Sequence, residues 1–190
     1  MLHDRDFIFR YRKTALTVPR NSFFIPYATF FSGEYDFLHP GKNDIVIDAG
    51  ANIGDYTVRI ADKVKTVIAI EPSHENLTYL KQNIRNFKNI RIVERAIGDE
   101  RGLVSFSGEG VSASVDNKGK NAVDIDTLDN ICEELNISPT ILKMDIEGYD
   151  GDALKGFEHH MGSVRRMVIE VHSDRNKKDC EEVLTKMASH

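Results

Sequence analysis

Five short aliphatic runs between positions 45 and 171 constrain the fold of this 190-residue chain more than any other feature. They occupy positions 45–47, 66–70, 90–93, 141–145 and 167–171, and they are rich in β-branched residues. Runs of this kind are typical of strands that are buried on both faces. Because segments with helical spacing separate them, the sequence predicts an α/β fold with a mostly parallel sheet and helices on both faces.

Helices are predicted at 54–61, after an N-cap at Ser73, from Thr127 to 135, at 150–156, and from Ser173 or Asp174 to 187. A hairpin is predicted for 103–106 and 111–115. The first forty residues look irregular, with a strand near 7–11 and a helical turn at 33–38. We therefore expect a single domain, with residues 44–190 as the core and residues 1–43 as an N-terminal cover.

Composition excludes several classes of protein. The formal net charge is -5, so there is no overall basic surplus for binding nucleic acid. Cys132 and Cys180 are too few and too far apart for a disulfide framework, which favours a reducing compartment. No apolar stretch approaches the roughly 20 residues that span a bilayer, and positions 1–14 lack the apolar core of a signal peptide. A soluble cytoplasmic domain without membrane contact is expected.

Ligands of open α/β sheets bind at the carboxyl ends of the strands, so residues that follow each run are the candidate site. The first turn contains Asp48, Gly50, Asn52 and Gly54, with the spacing GxxxG in place of the dinucleotide fingerprint GxGxxG. A carboxylate at this position repels a diphosphate and attracts a cationic group such as an ammonium or sulfonium. An ordinary β–α turn is the alternative interpretation.

Glu71 ends the second run, where a carboxylate can accept hydrogen bonds from both ribose hydroxyls of a nucleoside. This arrangement suits NAD and S-adenosylmethionine equally. A negative charge that favours the N-terminus of the next helix is the alternative role.

Lys143, Asp145 and Glu147 occupy alternate positions, so their side chains point to one side if the strand continues that far. His172 follows the fifth run at the same edge, where an imidazole beside carboxylates can act as a general base or as a metal ligand. A salt-bridge network and a surface histidine are the alternatives. The remaining histidines are expected to be solvated: His3, His39, His74, His159, His160 and His190.

Five blocks of the sequence occur in a familiar order between residues 44 and 173: DAGANIGDYT, VIAIEPSHENLTYLKQNI, ERAIGDERG, ILKMDIEGYDGDALKG and VIEVH. Together they resemble the FkbM-type S-adenosylmethionine-dependent methyltransferases. The resemblance implies a class I methyltransferase (Rossmann-like) fold, S-adenosylmethionine as the cofactor, and O-methylation of a hydroxyl on a sugar or other small molecule. Residues 1–43 would then lie on the acceptor side of the site.

The resemblance also implies roles for individual residues. Those expected around the cofactor are Asp48, Gly50, Asn52, Gly54 and Thr57 near the methionine part, Glu71 and Ser73 near the ribose and adenosine, and Arg95 and Ala96 beside the adenine. Those expected near the transferred methyl group and the acceptor are Lys143, Asp145, Glu147 and His172. From their shared placement at the strand edge, rather than from the resemblance, we expect His172 or Asp145 to serve as the base and Glu147 to orient it, with no metal required. A divalent metal held by Asp145, Glu147 and His172 is the alternative.

Two positions depart from the family pattern. Tyr149-Asp150 stands where the family commonly has Ala-Glu. The predicted elements also lack the antiparallel hairpin with which class I methyltransferases normally finish, so the N-terminal strands complete the sheet, a partner does, or the edge is left short. Because an exposed edge favours pairing with another chain, a homodimer is expected.

Three other functions compete with small-molecule methylation. RNA methylation would use Arg5, Arg10, Arg12 and Lys13 with the interleaved rings of Phe7, Phe9 and Tyr11. A nicotinamide oxidoreductase is disfavoured by the missing GxGxxG motif. A non-catalytic adenosine-ligand binding module or partner subunit is the third alternative.

Overall fold

The computed structural model describes residues 6–107, 114–115 and 121–187. Its first two strands, β1 (Asp6–Tyr11) and β2 (Thr14–Pro19), pair as an antiparallel hairpin. The prediction of a strand near 7–11 is confirmed, whereas the second strand of the hairpin was not predicted. The hairpin is followed by a short helix, α1 (Phe24–Tyr27), and by a single turn at Asp36–Leu38.

A five-stranded parallel sheet forms the centre of the fold, and it confirms the predicted α/β class. Its strands are β3 (Ile45–Ala49), β4 (Thr66–Ile70), β5 (Ile90–Val93), β10 (Ile141–Met144) and β11 (Arg166–Ile169). Their order across the sheet is β11-β10-β3-β4-β5, and every neighbouring pair is parallel. Strands β10 and β11 end before Asp145 and Glu170, so both end earlier than the sequence predicts.

A second sheet, which the sequence did not predict as a unit, lies between β5 and β10 in the chain. It contains β6 (Ala96–Ile97), β7 (Gly102–Ser107), β8 (Ser114–Val115) and β9 (Asn121–Asp126) in the order β6-β9-β7-β8. β7 and β8 pair antiparallel, as the predicted hairpin requires, although residues 111–113 of that prediction lie outside the described residues. β9 was missed.

Five longer helices follow the predicted pattern. They are α2 (Asp55–Ala61), α3 (His74–Ile84), α4 (Leu128–Leu135), α5 (Asp150–Lys155) and α6 (Asp174–Met187). Ser73 and Thr127 cap α3 and α4 as predicted, because their side-chain oxygens accept from Asn76 N and Asn130 N at 3.5 and 3.1 Å. Ser173 rather than Asp174 caps α6, since its Oγ accepts from Asn176 N at 3.1 Å.

The N-terminal hairpin is packed into the molecule and is not the irregular segment that the sequence suggested. Leu16, Val18 and Phe30 are buried in one cluster with Leu77 and Leu80 of α3. The rings of Phe9 and Tyr11 pack against Phe30 and Phe31, with centroids 5.2 to 6.1 Å apart. Those two rings are therefore engaged with protein, which weakens their proposed use as a stacking platform for RNA bases.

Both cysteines are free and buried. Burial raises the pKa of the Cys132 thiol to about 12 and that of Cys180 to about 11, so neither is a reactive thiolate near neutral pH. Within the described part of the chain, no helix combines the length and the apolar character needed to cross a bilayer.

Candidate active site

The loop after β3 depends on residues with positive φ. Gly50 has φ +73°, and a Cβ atom there would lie 1.8 Å from the backbone oxygen of Asp145, so only glycine lets the loop pass the end of β10. Gly54 has φ +85° at the start of α2, where a Cβ would meet Leu80 Cδ1 at 2.6 Å. Asn52 also adopts the left-handed region, with φ +52°. These residues fix the loop in one path above the sheet.

Asp48 and Lys143 form a buried ion pair at the base of this loop. Asp48 Oδ1 lies 3.2 Å from Lys143 Nζ, and Asp48 Oδ2 accepts from Thr57 Oγ1 at 2.5 Å. Lys143 Nζ also donates to Gly50 O at 2.8 Å. Burial acts to lower the pKa of Lys143, but Asp48, Asp145 and Asp55 outweigh it and raise that pKa, so the ammonium stays charged.

The structure corrects the reason for which Lys143 was grouped with Asp145 and Glu147. Strand β10 ends at Met144, so the alternation that was to align Lys143, Asp145 and Glu147 stops after its first member. Lys143 instead ties β10 to Asp48 and Gly50, while Asp145 and Glu147 turn towards His172. Glu147 has φ +56° and Gly148 has φ +102°, so the backbone reverses immediately after the strand. A non-glycine residue in this region costs free energy and is typical of functional sites.

Asp145, Glu147 and His172 meet at the ends of β10 and β11, as the sequence predicted. His172 Nε2 lies 2.8 Å from Asp145 Oδ1, and His172 Nδ1 lies 4.0 Å from Glu147 Oε2. Burial acts to lower the pKa of His172, but the hydrogen bond with Asp145 and the charge of Glu147 outweigh it and raise that pKa. Burial raises the pKa of Glu147, although the charge of His172 opposes this shift.

Glu71 lies under the glycine loop, and its own chain provides its donors. Its Oε2 accepts from Asn52 N at 2.8 Å, and its Oε1 accepts from Ser73 N at 2.9 Å and Asn76 Nδ2 at 3.2 Å. Burial nevertheless raises the pKa of Glu71, because these donors compensate for desolvation only in part. The carboxylate therefore holds the loop, and its contact with a ribose stays a prediction.

A cavity of about 410 Å³ opens between the glycine loop, the ends of β10 and β11, and the N-terminal segment. The predicted site residues that line it are Gly50, Asn52, Lys143, Asp145, Glu147 and His172. Predicted residues that are not among its lining residues are Asp48, Gly54, Thr57, Glu71, Ser73, Arg95 and Ala96. Arg95 is bound elsewhere, since its guanidinium lies 3.2 Å from Asp126 and 2.6 Å from Glu134. Ala96 is buried in β6.

Sequence reasoning missed several polar residues on the wall of this cavity. Asp55 is buried, accepts a hydrogen bond from Thr29 Oγ1, and has its pKa raised by burial. Tyr35 donates to Glu170 Oε2 at 2.8 Å. Glu34 lies nearby with a pKa raised first by burial and then by the charges of Glu170, Asp55 and Asp145. Asp55 directly follows the glycine loop and could have been found by that position, whereas no sequence signal marks Glu34.

Five carboxylate side chains consequently line one cavity: Glu34, Asp55, Asp145, Glu147 and Glu170. The basic side chains on its wall are Lys143 and His172, and Lys143 is already paired with Asp48. The cavity is therefore negative, and it favours a cationic ligand over a diphosphate.

Comparison with known proteins decides the family. The sequence profile described as "Methyltransferase FkbM domain" matches residues 48–190. The chain belongs to the FkbM methyltransferase family. Membership confirms the resemblance carried by the five sequence blocks, and the parallel sheet agrees with the class I fold that the resemblance implied.

A curated relative and a solved structure each resemble the chain over most of its length. Hexuronic acid methyltransferase AglP of Haloferax volcanii is 25% identical over 150 residues, covering 76% of this chain and 62% of AglP. Methyltransferase FkbM of Methylobacillus flagellatus superposes with a TM-score of 0.61 at 24% identity, over 86% of this chain and 41% of its own. The chain thus spans less than two thirds of either relative.

A more distant structure shares the fold alone. TYW2 of M. jannaschii, solved in complex with AdoMet, superposes with a TM-score of 0.54 at 14% identity, covering 97% of this chain and 74% of TYW2.

Proposed function

We propose that the chain transfers a methyl group from S-adenosylmethionine to an oxygen atom of a sugar acid or a related small molecule. The observation that carries this proposal is the negative cavity where the glycine loop meets Asp145, Glu147 and His172. Membership of the FkbM family and the likeness to a hexuronic acid methyltransferase support the reaction and the acceptor class.

The residues of the loop fit S-adenosylmethionine. Asn52 lines the cavity, and its Oδ1 is buried without a hydrogen-bond partner among the described residues. An unpaired acceptor beside five carboxylates suits the ammonium and sulfonium of this cofactor and does not suit the diphosphate of NAD. When bound, the cofactor supplies an activated methyl group. The residues proposed to hold it are Gly50 and Asn52, which line the cavity, with Asp48, Gly54, Thr57, Glu71 and Ser73 supporting the loop around them. Contacts of Arg95 and Ala96 with the adenine stay a prediction.

The chain's own residues then act on the acceptor. As the new C–O bond forms and the C–S bond of the donor breaks, a hydroxyl acceptor must lose its proton. We assign that proton to the Asp145–His172 pair, whose atoms are 2.8 Å apart, with Glu147 orienting the imidazole. Lys143 is a positioning residue, because its bonds to Gly50 O and Asp48 hold the loop against β10.

Calorimetric titration tests the cofactor. We expect S-adenosylmethionine and S-adenosylhomocysteine to bind with micromolar dissociation constants, NAD to show no binding, and Glu71→Ala to weaken binding at least about tenfold. Glu75→Ala, an exposed acid on α3, is the matched control and should bind like the wild type. Binding of NAD alone, or binding of neither sulfur nucleoside to a folded chain, would overturn the cofactor assignment.

Transfer of a labelled methyl group tests the acceptor. We expect label on oligosaccharides that contain a uronic acid and none on the same oligosaccharides with neutral sugars. The double variant Asp145→Ala/His172→Ala should lose at least about a hundredfold in single-turnover rate. Label on neutral sugars alone would contradict the proposed acceptor, and full activity of the double variant would contradict the proposed base.

A homodimer is proposed on the open sheet edge. Strand β11 lies at one edge of the central sheet among the described residues, and an exposed edge favours pairing with another chain. Light scattering should give twice the chain mass at micromolar concentration; a monomeric mass throughout would exclude the dimer.

A further inference from the structure

Asp145, Glu147 and His172 offer a ligand set whose spacing suits a metal ion. One ligand atom from each residue lies within 4.8 Å of those of the other two, and one such pair, His172 Nε2 and Asp145 Oδ1, is 2.8 Å apart. Ligands bound at 2.0–2.1 Å from an octahedral ion lie about 3 Å apart when adjacent and about 4 Å apart when opposite. All three side chains are partly exposed, so an ion can reach them.

A second observation points to a ligand in the same cavity. Tyr56 lines the cavity and is only 4% exposed, yet its hydroxyl has no hydrogen-bond partner among the described residues. Burial raises the pKa of Tyr56 above its usual value, so the group stays protonated and acts as a donor. Buried polar groups in proteins are nearly always paired, so this donor calls for an acceptor that the described residues do not supply, such as an oxygen atom of a bound molecule.

Unless a cation is bound, an acceptor oxygen in this cavity is repelled by the negative potential of the carboxylates. Five carboxylates line the cavity, and the ammonium of Lys143 is committed to Asp48 and Gly50 O. A sugar acid would bring a further negative charge into this partly desolvated space, where like charges repel more strongly than in water. A divalent cation at the end of β10 would reverse that repulsion and give the acceptor a point of attachment.

We propose that Asp145, Glu147 and His172 together bind one divalent cation of the Mn²⁺ or Mg²⁺ class, and that oxygen atoms of the acceptor complete its coordination. Two carboxylate oxygens and one imidazole nitrogen leave three positions of an octahedral ion for acceptor oxygens and water. Residues that hold the cation do not also take the acceptor's proton, so with the ion bound the base role proposed for Asp145 and His172 is replaced: the cation lowers the pKa of the coordinated hydroxyl, and its proton passes to water. The inference deepens the proposed function and rests on it for the identity of the acceptor.

The site is tested by titrating the full chain with Mn²⁺ alone. Binding is measured as the decrease of the electron paramagnetic resonance signal of free Mn²⁺. We expect one Mn²⁺ per chain, displaced by excess Mg²⁺. Asp145→Asn and His172→Gln should each weaken Mn²⁺ binding at least tenfold. The matched controls are Asp62→Asn and His74→Gln, which change exposed residues of the same types away from the cavity and should bind like the wild type.

The result that overturns the proposal is either no saturable Mn²⁺ binding or binding that neither variant weakens. Glu147→Gln provides a third variant if one of the others fails to fold, as judged by its unfolding midpoint. Calorimetry with S-adenosylhomocysteine in the presence of a chelator separates the two proposals. Nucleoside binding without Mn²⁺ binding refutes the metal site and leaves methyl transfer standing, whereas Mn²⁺ binding without nucleoside binding refutes the methyl transfer and leaves the metal site standing.

Discussion

Two regions of the molecule bring imidazole and carboxylate together in opposite proportions. At the start of α4, the single carboxylate of Asp129 lies between two histidines, with its oxygens 3.0 Å from His159 Nδ1 and 2.9 Å from His160 Nδ1. At the ends of β10 and β11, the single imidazole of His172 lies between Asp145 and Glu147. The first region is rich in donors, and the second is rich in negative charge.

The difference separates a structural contact from a binding site. Asp129 also accepts from the backbone nitrogens of His159 and His160 at 2.9 and 3.0 Å, so both of its oxygens are saturated by the chain itself. Asp145 and Glu147 share one imidazole and face a cavity that already holds three further carboxylates. Saturated polar groups stabilise a fold, whereas surplus charge at a cavity costs stability and attracts a ligand.

Gly50→Ala should give the largest loss of nucleoside affinity, because it disturbs the close contact between the glycine loop and the backbone of Asp145. The new Cβ would lie 1.8 Å from Asp145 O at a residue with φ +73°, so the loop must move. We expect S-adenosylhomocysteine affinity to fall at least about a hundredfold by calorimetry. Gly162→Ala, where a Cβ meets nothing within 4 Å, is the control; equal affinity of both variants would contradict the role of Gly50.

A pair of charge-removing substitutions tests the comparison directly. Asp129→Asn removes the charge that two histidines share, so we expect it to lower the free energy of unfolding by about 1–3 kcal/mol and leave nucleoside affinity unchanged. Asp145→Asn relieves repulsion among carboxylates, so stability should stay within about 0.5 kcal/mol while methyl transfer falls. Urea unfolding and single-turnover assays measure both. A greater loss of stability in Asp145→Asn than in Asp129→Asn would reverse the distinction.

The stabilisation by Asp129 should have its own pH window. Burial acts to raise the pKa of Asp129, but donors from His159 and His160 outweigh it and lower that pKa. Its contribution is therefore present above the ordinary carboxyl pKa of about 3.9 and is lost as the pH falls through the lowered value. The hydrogen bond with Asp129 raises the pKa of His159, so that contribution is full below about 6.5 and is lost as the pH rises through the raised value.

The two windows overlap between about pH 4 and pH 6.5. We expect the difference in urea midpoint between the wild type and Asp129→Asn to be larger at pH 5.5 than at pH 8. A difference that grows towards pH 8 would contradict the assignment of the histidines as the partners of Asp129.

The charged residues at the strand ends could be predicted from the sequence, because short aliphatic runs mark where each strand ends. The runs that form β3, β10 and β11 fix where Asp48, Asp145 and His172 emerge, and parallel pairing brings those ends to one edge. The same reasoning grouped Lys143 with Asp145 and Glu147, and all three line the cavity, but the strand that was to align them ends at Met144. The reversal at Glu147 ended the pattern and left Lys143 with Asp48 and Gly50.

Other features depend on contacts between distant parts of the chain. Asp129 and His160 are separated by 31 positions, so no periodicity links them, and His160 was expected to be solvated. The N-terminal segment was expected on the acceptor side of the site, but no local pattern singled out Glu34 and Tyr35 as the polar side chains that reach the cavity. Local patterns predict the elements, whereas the wall of the cavity is set by tertiary packing.

The smallest expected effect separates the two histidines that share Asp129. The side chain of His159 is 80% exposed, while that of His160 is 21% exposed, although both lie about 3 Å from the same carboxylate. Exposed ion pairs are screened by water and contribute little, so His159→Gln should leave the free energy of unfolding close to that of the wild type. His160→Gln should cost about 1 kcal/mol, because the half-buried ring is harder to replace by water. Urea unfolding at pH 5.5 measures both variants, and a larger loss for His159→Gln would show that burial does not set the strength of these contacts.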